Sequence, residues 1–203
     1  MNSVKHDGLD FIPSKVVCIG RNYVEHIEEL NNEIPAEPVV FIKPNSAISN
    51  EIESHQFDEI HYEGEISFII KNNKISGIGF GLDLTKRKLQ NVLKSKGLPW
   101  ERAKAFDKSA VFSNFVNCDG DYKSYKMELF IDNLLIQFAN YPLMINKPEM
   151  LITDIQSFLT LEDGDIIMTG TPKGVGIINS GQLFTAKIYK NEEIIIEQSW
   201  LVQ

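Results

Sequence analysis

Short blocks of apolar residues, each closed by polar or turn-forming residues, recur along the whole chain. Runs of this length, rich in Val, Ile, Phe and Tyr and bounded by Gly, Pro, Asn or Asp, are typical of β-strands. The pattern predicts strands at 15–19, 39–43, 61–70, 127–131, 134–138, 166–169, 183–189 and 193–197. Asp132-Asn133 separates one adjacent pair of runs and Lys190-Asn191-Glu192 another, so we expect a hairpin at each place.

Helical patterns are confined to fewer segments. The intervals 22–30, 86–96 and 149–159 are predicted helices, with Thr85 as the N-cap of the second and Pro148 in the first turn of the third. Glycine-rich residues 77–81 are typical of a closely packed strand or bend. Because strands dominate and no repeat or linker interrupts them, we expect an α+β, β-rich fold in one domain, 1–203, with 1–13 as a lead-in segment.

Composition narrows the classes of function. The 203 residues are 43% hydrophobic and carry 20 Lys+Arg against 28 Asp+Glu, a net charge of −8. Binding to nucleic acid or to an anionic membrane would need a basic stripe, so neither partner is expected. Cys18 and Cys118 lie in no metal-binding spacing. No apolar run approaches the ~20 residues of a membrane span, and 1–13 lacks the apolar core of a signal peptide, which favours a cytoplasmic location.

Two acidic residues in the predicted strand at 61–70 are the first candidates for chemistry. Side chains alternate along a strand, so Glu63 and Glu65 point to the same face, about 7 Å apart along the chain. Neighbouring carboxylates repel each other unless a cation lies between them or one of them is protonated. Oxygen ligands favour a hard cation such as Mg²⁺, Mn²⁺ or Ca²⁺. The alternative is an exposed strand face that happens to carry two acids.

Two further groups of residues have a functional and an ordinary explanation. Asp83 lies between two leucines before the helix at 86–96, where it is either a ligand or an acid favoured by the helix dipole. His26 and Glu29 share one helix face at i, i+3 spacing. There the carboxylate could orient the imidazole and raise its basicity, or both could be surface decoration.

The last two candidates concern anion binding. The glycines of 170–176 free backbone N–H groups to face an anion, although the loop matches neither a P-loop nor a GxGxxG motif. Lys104 stands alone in an apolar neighbourhood. It is either a buried positive charge at a site or a side chain that reaches past apolar residues to solvent.

Six ordered segments between about residues 15 and 189 carry a resemblance to a known family. They are Gly20-Arg21-Asn22-Tyr23 with His26 and Glu29, Phe41-Ile-Lys-Pro44, His61-Tyr-Glu-Gly-Glu65, Leu82-Asp83-Leu-Thr85, Gly97-Leu-Pro-Trp100 with Ala103-Lys104, and Gly164-Asp-Ile-Ile-Met-Thr-Gly-Thr-Pro-Lys-Gly-Val-Gly176. In these segments the chain resembles the fumarylacetoacetate hydrolase family, within it the small acylpyruvase and oxaloacetate decarboxylase branch. It departs from many relatives at Lys86-Arg87-Lys88, where an acidic residue often follows the arginine.

The resemblance implies a mixed β-roll like the C-terminal domain of that family, a few short helices and a homodimer. It also implies roles for single residues. Glu63, Glu65 and Asp83 would bind one Mg²⁺ or Mn²⁺, and Lys104 would lie beside the metal and the substrate oxygens. His26 and Glu29 would form a catalytic dyad on a lid helix. The substrate-binding residues implied in the same way are Arg21, Gln90, Gly170 and Thr171.

The activity implied is hydrolysis of the C–C bond of 3-acylpyruvates, with oxaloacetate decarboxylation as a second reaction at the same site. His26 would deprotonate a water that attacks the distal carbonyl, while the metal and Lys104 stabilise the pyruvate enolate that leaves. The first alternative is an isomerase or tautomerase of 2-oxo or 2-hydroxy-dienoic acids that uses the metal and Lys104 alone. The second is a metal-binding protein without catalysis. In each catalytic case the partner is a small 2-oxo acid, whose identity the sequence leaves open.

Overall fold

Strands dominate the computed structural model, which describes residues 1–29, 33–54 and 59–203. The helices are α1 Val24–Glu29, α2 Arg87–Ser95, α3 Glu101–Lys104 and α4 Pro148–Phe158. The strands are β1 Val4–His6, β2 Leu9–Phe11, β3 Lys15–Gly20, β4 Val39–Pro44, β5 Ile48–Ser49, β6 Ile60–Tyr62, β7 Gly64–Lys71, β8 Lys74–Asp83, β9 Thr85–Lys86, β10 Ala110–Phe112, β11 Val116–Asn117, β12 Tyr125–Ile131, β13 Leu134–Asn140, β14 Ile166–Met168, β15 Gly176–Ile177, β16 Leu183–Lys190 and β17 Glu193–Leu201. The expected β-rich fold with few short helices is confirmed.

The largest sheet runs in the order β4-β3-β14-β7-β8-β10-β5, with β11 also paired to β8. β14 is parallel to β3 and antiparallel to β7. β7 and β8 form a hairpin whose register runs from Gly64 opposite Leu82 to Lys71 opposite Lys74. Every residue of β7 before Lys71 is buried, as expected for a strand covered on both faces. The hairpin thereby brings Glu65, near the start of β7, and Asp83, at the end of β8, to the same end of the two strands.

A second sheet, β13-β12-β16-β17, covers one face of this hairpin. Both of the hairpins expected from the sequence lie here, and residues along β12 alternate between buried and half-buried positions. Its inward side chains share a core with those of β7 and β8 that includes Phe68, Phe80, Leu129, Phe184 and Ile188. The packing leaves β13 close to the start of β7. Smaller sheets, β15-β6-β9 and β1-β2, complete the strand pairing of the described residues.

The local predictions fail at two helix starts. The helix expected at 22–30 is α1, which begins at Val24, and Leu30 lies outside the described residues. Thr85 is not an N-cap: it belongs to β9, pairs with His61 of β6, and its hydroxyl donates to the carbonyl oxygen of Asp83 (3.2 Å). Strand pairing holds Thr85 in an extended conformation, so α2 starts at Arg87, one residue later than predicted. Residues 77–81 lie inside β8, which confirms the strand alternative.

Two further expectations concern cysteines and membrane spans. Cys18 is buried in β3, Cys118 is half-buried, and both thiols are free. Among the helices of the described residues, none combines the length and the apolar character that crossing a membrane requires.

Candidate metal and substrate site

Three carboxylates lie close together at the end of the hairpin where β7 begins and β8 ends. Glu63 directly precedes β7, Glu65 is its second residue, and Asp83 is the last residue of β8. The backbone N–H of Asp83 donates to the carbonyl oxygen of Glu63 (2.9 Å), which fixes the two strands at this point. One oxygen from each carboxylate lies within 4.8 Å of the other two, and the three residues are only 6%, 1% and 1% exposed. The alternative of an exposed acidic strand face is therefore wrong.

Buried cations hold this cluster together. Lys104, the last residue of α3, donates from Nζ to Glu63 Oε2 (2.9 Å) and Asp83 Oδ2 (2.6 Å). Lys43 in β4 places Nζ 2.8 Å from Asp83 Oδ1, and the guanidinium of Arg87 in α2 donates to Glu63. All three cations are nearly fully buried, which is tolerable because each is paired. Lys104 thus does not reach out to solvent.

The electrostatics of the acidic cluster fit a further cation. Burial raises the pKa of Glu65 well above its usual range, and the charges of Asp83 and Glu63 raise it more. Burial would also raise the pKa of Glu63, but Lys104 and Arg87 outweigh it and the pKa is lowered. The ionised form of Glu65 is therefore the least compensated of the three, although the backbone N–H of Gly170 donates to its Oε2 (2.7 Å). Three buried carboxylates whose oxygens lie this close together offer the oxygen ligands that Mg²⁺ and Mn²⁺ prefer.

A small cavity of about 40 Å³ opens beside the acidic cluster. Arg21, Gln90, Lys94 and Lys104 contribute to its wall, together with Arg87, whose Nη1 donates to Gln90 Oε1 (2.7 Å). Burial lowers the pKa of Lys94, and the nearby charges of Arg21 and Arg87 lower it further. Positive charge is thus crowded on one side of the cavity, which favours an anionic ligand. The structure brings the predicted pocket residues Arg21 and Gln90 to this wall.

Helix α1 covers the cavity with the predicted dyad. His26 is 6% exposed and lines the cavity, and its Nδ1 lies 3.2 Å from Glu29 Oε2. Burial lowers the pKa of His26 despite the opposing charges of Glu63 and Glu29, so the imidazole is neutral at pH 7. Glu29 also accepts from the backbone N–H of Gly174 (3.1 Å), which connects α1 to the loop at 170–176. These contacts exclude surface decoration as an explanation for His26.

The loop 170–176, which follows β14, is hydrogen-bonded to Gly64 at the start of β7. Thr171 donates from its hydroxyl to the carbonyl oxygen of Gly64 (2.9 Å). Gln137 of β13 donates from Nε2 to Thr171 Oγ1 (2.9 Å) and accepts from the backbone N–H of Gly64 (2.9 Å). A Cβ on Gly64 would lie 2.8 Å from Gln137 Oε1, so any larger residue would force this amide to move. The predicted substrate residues Gly170 and Thr171 thus lie against the segment that carries Glu63 and Glu65.

Lys43, Arg87, Lys94 and Gln137 are the site residues for which the sequence analysis gave no role. Lys43 and Gln137 did leave a signal, since each is a polar residue inside an apolar strand. Both are at most 1% exposed. A polar side chain at such a position is expected to find buried partners. Arg87 and Lys94 lie in a basic helix whose pattern does not reveal which side faces the cavity.

Several known proteins have a chain similar to this one. A family model described as fumarylacetoacetate (FAA) hydrolase C-terminal matches residues 15–198. The oxaloacetate tautomerase YcgM of Escherichia coli (strain K12) is 37% identical over 195 residues, covering 87% of this chain and 89% of that protein. The mitochondrial oxaloacetate decarboxylase of Dictyostelium discoideum is 36% identical over 195 residues, covering 86% and 88%. The crystal structure of fumarylpyruvate hydrolase from Pseudomonas aeruginosa, in complex with Mn²⁺ and pyruvate, gives a TM-score of 0.89 at 28% identity, covering 99% of this chain and 95% of that one.

The β-rich fold, with a buried acidic cluster beside a cation-lined cavity, is that of an enzyme. The chain belongs to the fumarylacetoacetate hydrolase family. This confirms the resemblance and the fold class expected from the sequence. The Dictyostelium relative is mitochondrial by name, so a cytoplasmic location for this protein stays a prediction.

Proposed function

We propose that this protein catalyses the keto–enol tautomerisation of oxaloacetate or of a closely similar 2-oxo diacid. The observation that carries the proposal is the crowding of Arg21, Arg87 and Lys94 around the cavity next to the acidic cluster. These cations would attract an anionic ligand, and they would attract a ligand with two carboxylates more strongly than a ligand with one. The tautomerase and decarboxylase relatives act on such a diacid by name.

Glu63, Glu65 and Asp83 would hold the Mg²⁺ or Mn²⁺. When bound, such an ion supplies Lewis-acid stabilisation of negative charge on an oxygen of the substrate. Lys104 places its ammonium beside two of these carboxylates and contributes a second positive centre for the 2-oxo oxygen. The same ammonium partly balances the cluster before any ion binds.

The remaining residues would orient the diacid and move its proton. Thr171, which lines the cavity, would bind the carboxylate next to the 2-oxo group, and Arg21 with Lys94 would bind the distal one, while the N–H of Gly170 is engaged with Glu65. In the keto-to-enol direction His26 would take the proton from C3, because its imidazole is neutral and lines the cavity. The enolate oxygen would then take up a proton from solvent, and His26 would release its own proton to solvent. An N–H at Nδ1 donating to Glu29 leaves Nε2 as the base. Tautomerisation therefore gains a base that the sequence interpretation, with the metal and Lys104 alone, did not assign.

A direct assay tests the proposal. The decay of enol-oxaloacetate absorbance is followed with Mg²⁺-loaded protein, with chelator-treated protein and with Mg²⁺ in buffer. We expect acceleration only by the loaded protein, and a loss of about 10²-fold or more in kcat for His26→Ala with Mg²⁺ binding unchanged. Equal decay in all three samples would overturn the proposal.

Hydrolysis of 3-acylpyruvates is the second candidate, favoured by the contact of the buried His26 with Glu29. Here His26 would deprotonate a water that adds to the distal acyl carbonyl. The C–C bond then breaks, and a carboxylic acid and the enolate of pyruvate are released. Similarity to the Pseudomonas fumarylpyruvate hydrolase supports this reaction. Acetylpyruvate cleavage that is faster than oxaloacetate tautomerisation, in the same preparation, would make hydrolysis the main activity. Carbon dioxide release from oxaloacetate would report decarboxylation.

A further inference from the structure

We infer that Gln137 is a positioning residue for substrate binding: it fixes the direction in which the hydroxyl of Thr171 donates. The inference rests on the proposed role of Thr171 in holding the carboxylate next to the 2-oxo group. Gln137 lies on β13 in the second sheet and is not expected to touch the substrate. It acts on the substrate through Thr171.

Gln137 is a buried amide whose two ends have different partners. It is 1% exposed, although its neighbour Phe138 is 38% exposed. Its Nε2 donates to Thr171 Oγ1 (2.9 Å) and to the carbonyl oxygen of Pro172 (3.1 Å). Its Oε1 accepts from the backbone N–H of Gly64 (2.9 Å). The side chain of Gln137 therefore connects the loop 170–176 to Gly64, which lies between Glu63 and Glu65.

These bonds close a ring that constrains a single proton. Thr171 donates its hydroxyl hydrogen to the carbonyl oxygen of Gly64 (2.9 Å). A hydroxyl has one hydrogen and two lone pairs. Because Gln137 donates to this oxygen, the hydrogen must point toward another acceptor. In this structure the nearer acceptor is the carbonyl oxygen of Gly64 (2.9 Å), with that of Pro172 farther away (3.4 Å), and with substrate bound the acceptor can be a carboxylate oxygen. Without the amide donor, the hydroxyl could turn away from the substrate.

A purely structural role would make a different prediction. Gln137 also satisfies the buried backbone N–H of Gly64 and the carbonyl oxygen of Pro172, and loss of either bond would lower stability. The variant Gln137→Glu separates the two roles. It keeps the size of the side chain and an acceptor for Gly64, but a carboxylate cannot donate to Thr171 and would instead accept its hydrogen.

Binding measurements on the full chain test the inference without relying on turnover. Calorimetry first titrates Mn²⁺ alone, and then titrates pyruvate into the Mn²⁺-loaded protein. For Gln137→Glu we expect the Kd of pyruvate to rise at least about tenfold, as for a lost hydrogen bond to a charged group, while the Kd of Mn²⁺ stays within about threefold. The matched control is Gln156→Glu, the same change at an exposed residue of α4 that donates to Asn73, and it should leave both constants unchanged.

A double variant shows whether the effect passes through Thr171. In a Thr171→Val background, Gln137→Glu should change the Kd of pyruvate by less than about threefold, because the hydroxyl it orients is absent. If Gln137→Glu does not fold, Gln137→Met takes its place, since it has similar volume, no donor and the same expected loss. Wild-type affinity for pyruvate in the folded variant, or an equal loss with and without the Thr171 hydroxyl, would overturn the inference.

Steady-state kinetics separate this inference from the proposed function. With oxaloacetate, Gln137→Glu should raise KM more than it lowers kcat, as expected when binding rather than chemistry is weakened. Pyruvate binding that depends on Gln137 in a protein that does not turn over oxaloacetate would contradict the proposed function and support the inference. Turnover of oxaloacetate by the wild-type protein, with unchanged pyruvate affinity in Gln137→Glu, would support the proposed function and contradict the inference.

Discussion

Asp165 and Glu65 lie at opposite ends of the same pair of strands, β7 and β14, and are equally buried, yet their surroundings differ. Asp165 accepts from Ser14 N (2.9 Å), Ser14 Oγ (2.7 Å) and Glu162 N (2.9 Å), and it pairs with Lys15. Burial would raise its pKa, but the bonds from Lys15, Glu162 and Ser14 lower it. Burial and two neighbouring carboxylates raise the pKa of Glu65.

The difference separates a structural carboxylate from one held ready for a ligand. Asp165 is charged among donors, so its charge stabilises the fold and joins the start of β3 to β14. Glu65 lies among other acids, so ionising it costs stability until a cation arrives. Perturbed carboxylates of the second kind are typical of functional sites. Burial alone does not distinguish the two.

The largest expected effect follows from neutralising Glu65. Glu65→Gln should abolish Mn²⁺ binding and reduce metal-dependent turnover by at least about 10³-fold, because a ligand to the ion is lost. The free energy of unfolding of the metal-free variant should not fall, since the amide removes repulsion and can still accept from Gly170. Calorimetric Mn²⁺ titration and urea unfolding measure the two effects. A marked loss of stability would mean that Glu65 resembles Asp165 after all.

Asp165→Asn should lower stability without affecting metal binding, which is the opposite of the result expected for Glu65→Gln. Removing the charge leaves Lys15 unpaired and places an amide among donors, so we expect the free energy of unfolding at pH 7 to fall by on the order of 3 kcal/mol. Metal affinity and kcat of the folded fraction should not change.

The pH dependence sharpens this second prediction. The folded pKa of Asp165 lies below its unfolded value of about 3.9. Its stabilising contribution is therefore complete above that value and is lost as the pH falls through the folded pKa. Urea unfolding of wild type and Asp165→Asn should accordingly converge at low pH. A constant difference down to pH 2 would contradict the assignment of the lowered pKa to this contact.

Adding Mn²⁺ should stabilise the protein through Glu65 and not through Asp165. At a free Mn²⁺ concentration 100 times its Kd, the wild-type protein should gain about 2.7 kcal/mol of stability, because only the folded chain presents the complete acidic cluster. Asp165→Asn should gain the same amount and Glu65→Gln almost nothing. Thermal unfolding with and without Mn²⁺ measures the gain, and a gain in Glu65→Gln would place the ion elsewhere.

The smallest effect is expected at a surface ion pair. Lys88 follows Arg87 in α2 but is 78% exposed, and it pairs with Glu59 (2.6 Å). Lys88→Ala should shift the melting temperature by less than about 2 °C, because solvent screens such a pair. Arg87→Met, with a buried partner in Glu63, is the comparison and should cost much more. Equal shifts would show that the burial of Arg87 carries no energetic weight.

The sequence was informative where function concentrates unusual residues in short segments. Glu63, Glu65, Asp83, His26 and Lys104 were all predicted as site residues, and the structure brings them together. Most strands were predicted as well, because their apolar runs end at turn residues.

Contacts between distant segments were not predictable in this way. Gln137 is 73 residues from its partner Gly64, and its burial depends on how the second sheet packs across the first. Thr85 was predicted as an N-cap from local preference alone, but pairing with His61 holds it in a strand. In both cases a contact absent from the local sequence decides the outcome.

The glycine between Glu63 and Glu65 also limits how this site can evolve. A methyl group at Gly64 would lie 2.8 Å from Gln137 Oε1 and 3.2 Å from both Leu129 and Phe80. A side chain at 64 therefore requires the amide of Gln137 to move, which would disturb its bonds to Thr171 and Pro172, and Leu129 and Phe80 to shift by a few tenths of an ångström. Substitutions at 64 and 137 should thus be epistatic, whereas the exposed Lys88 can vary independently of both.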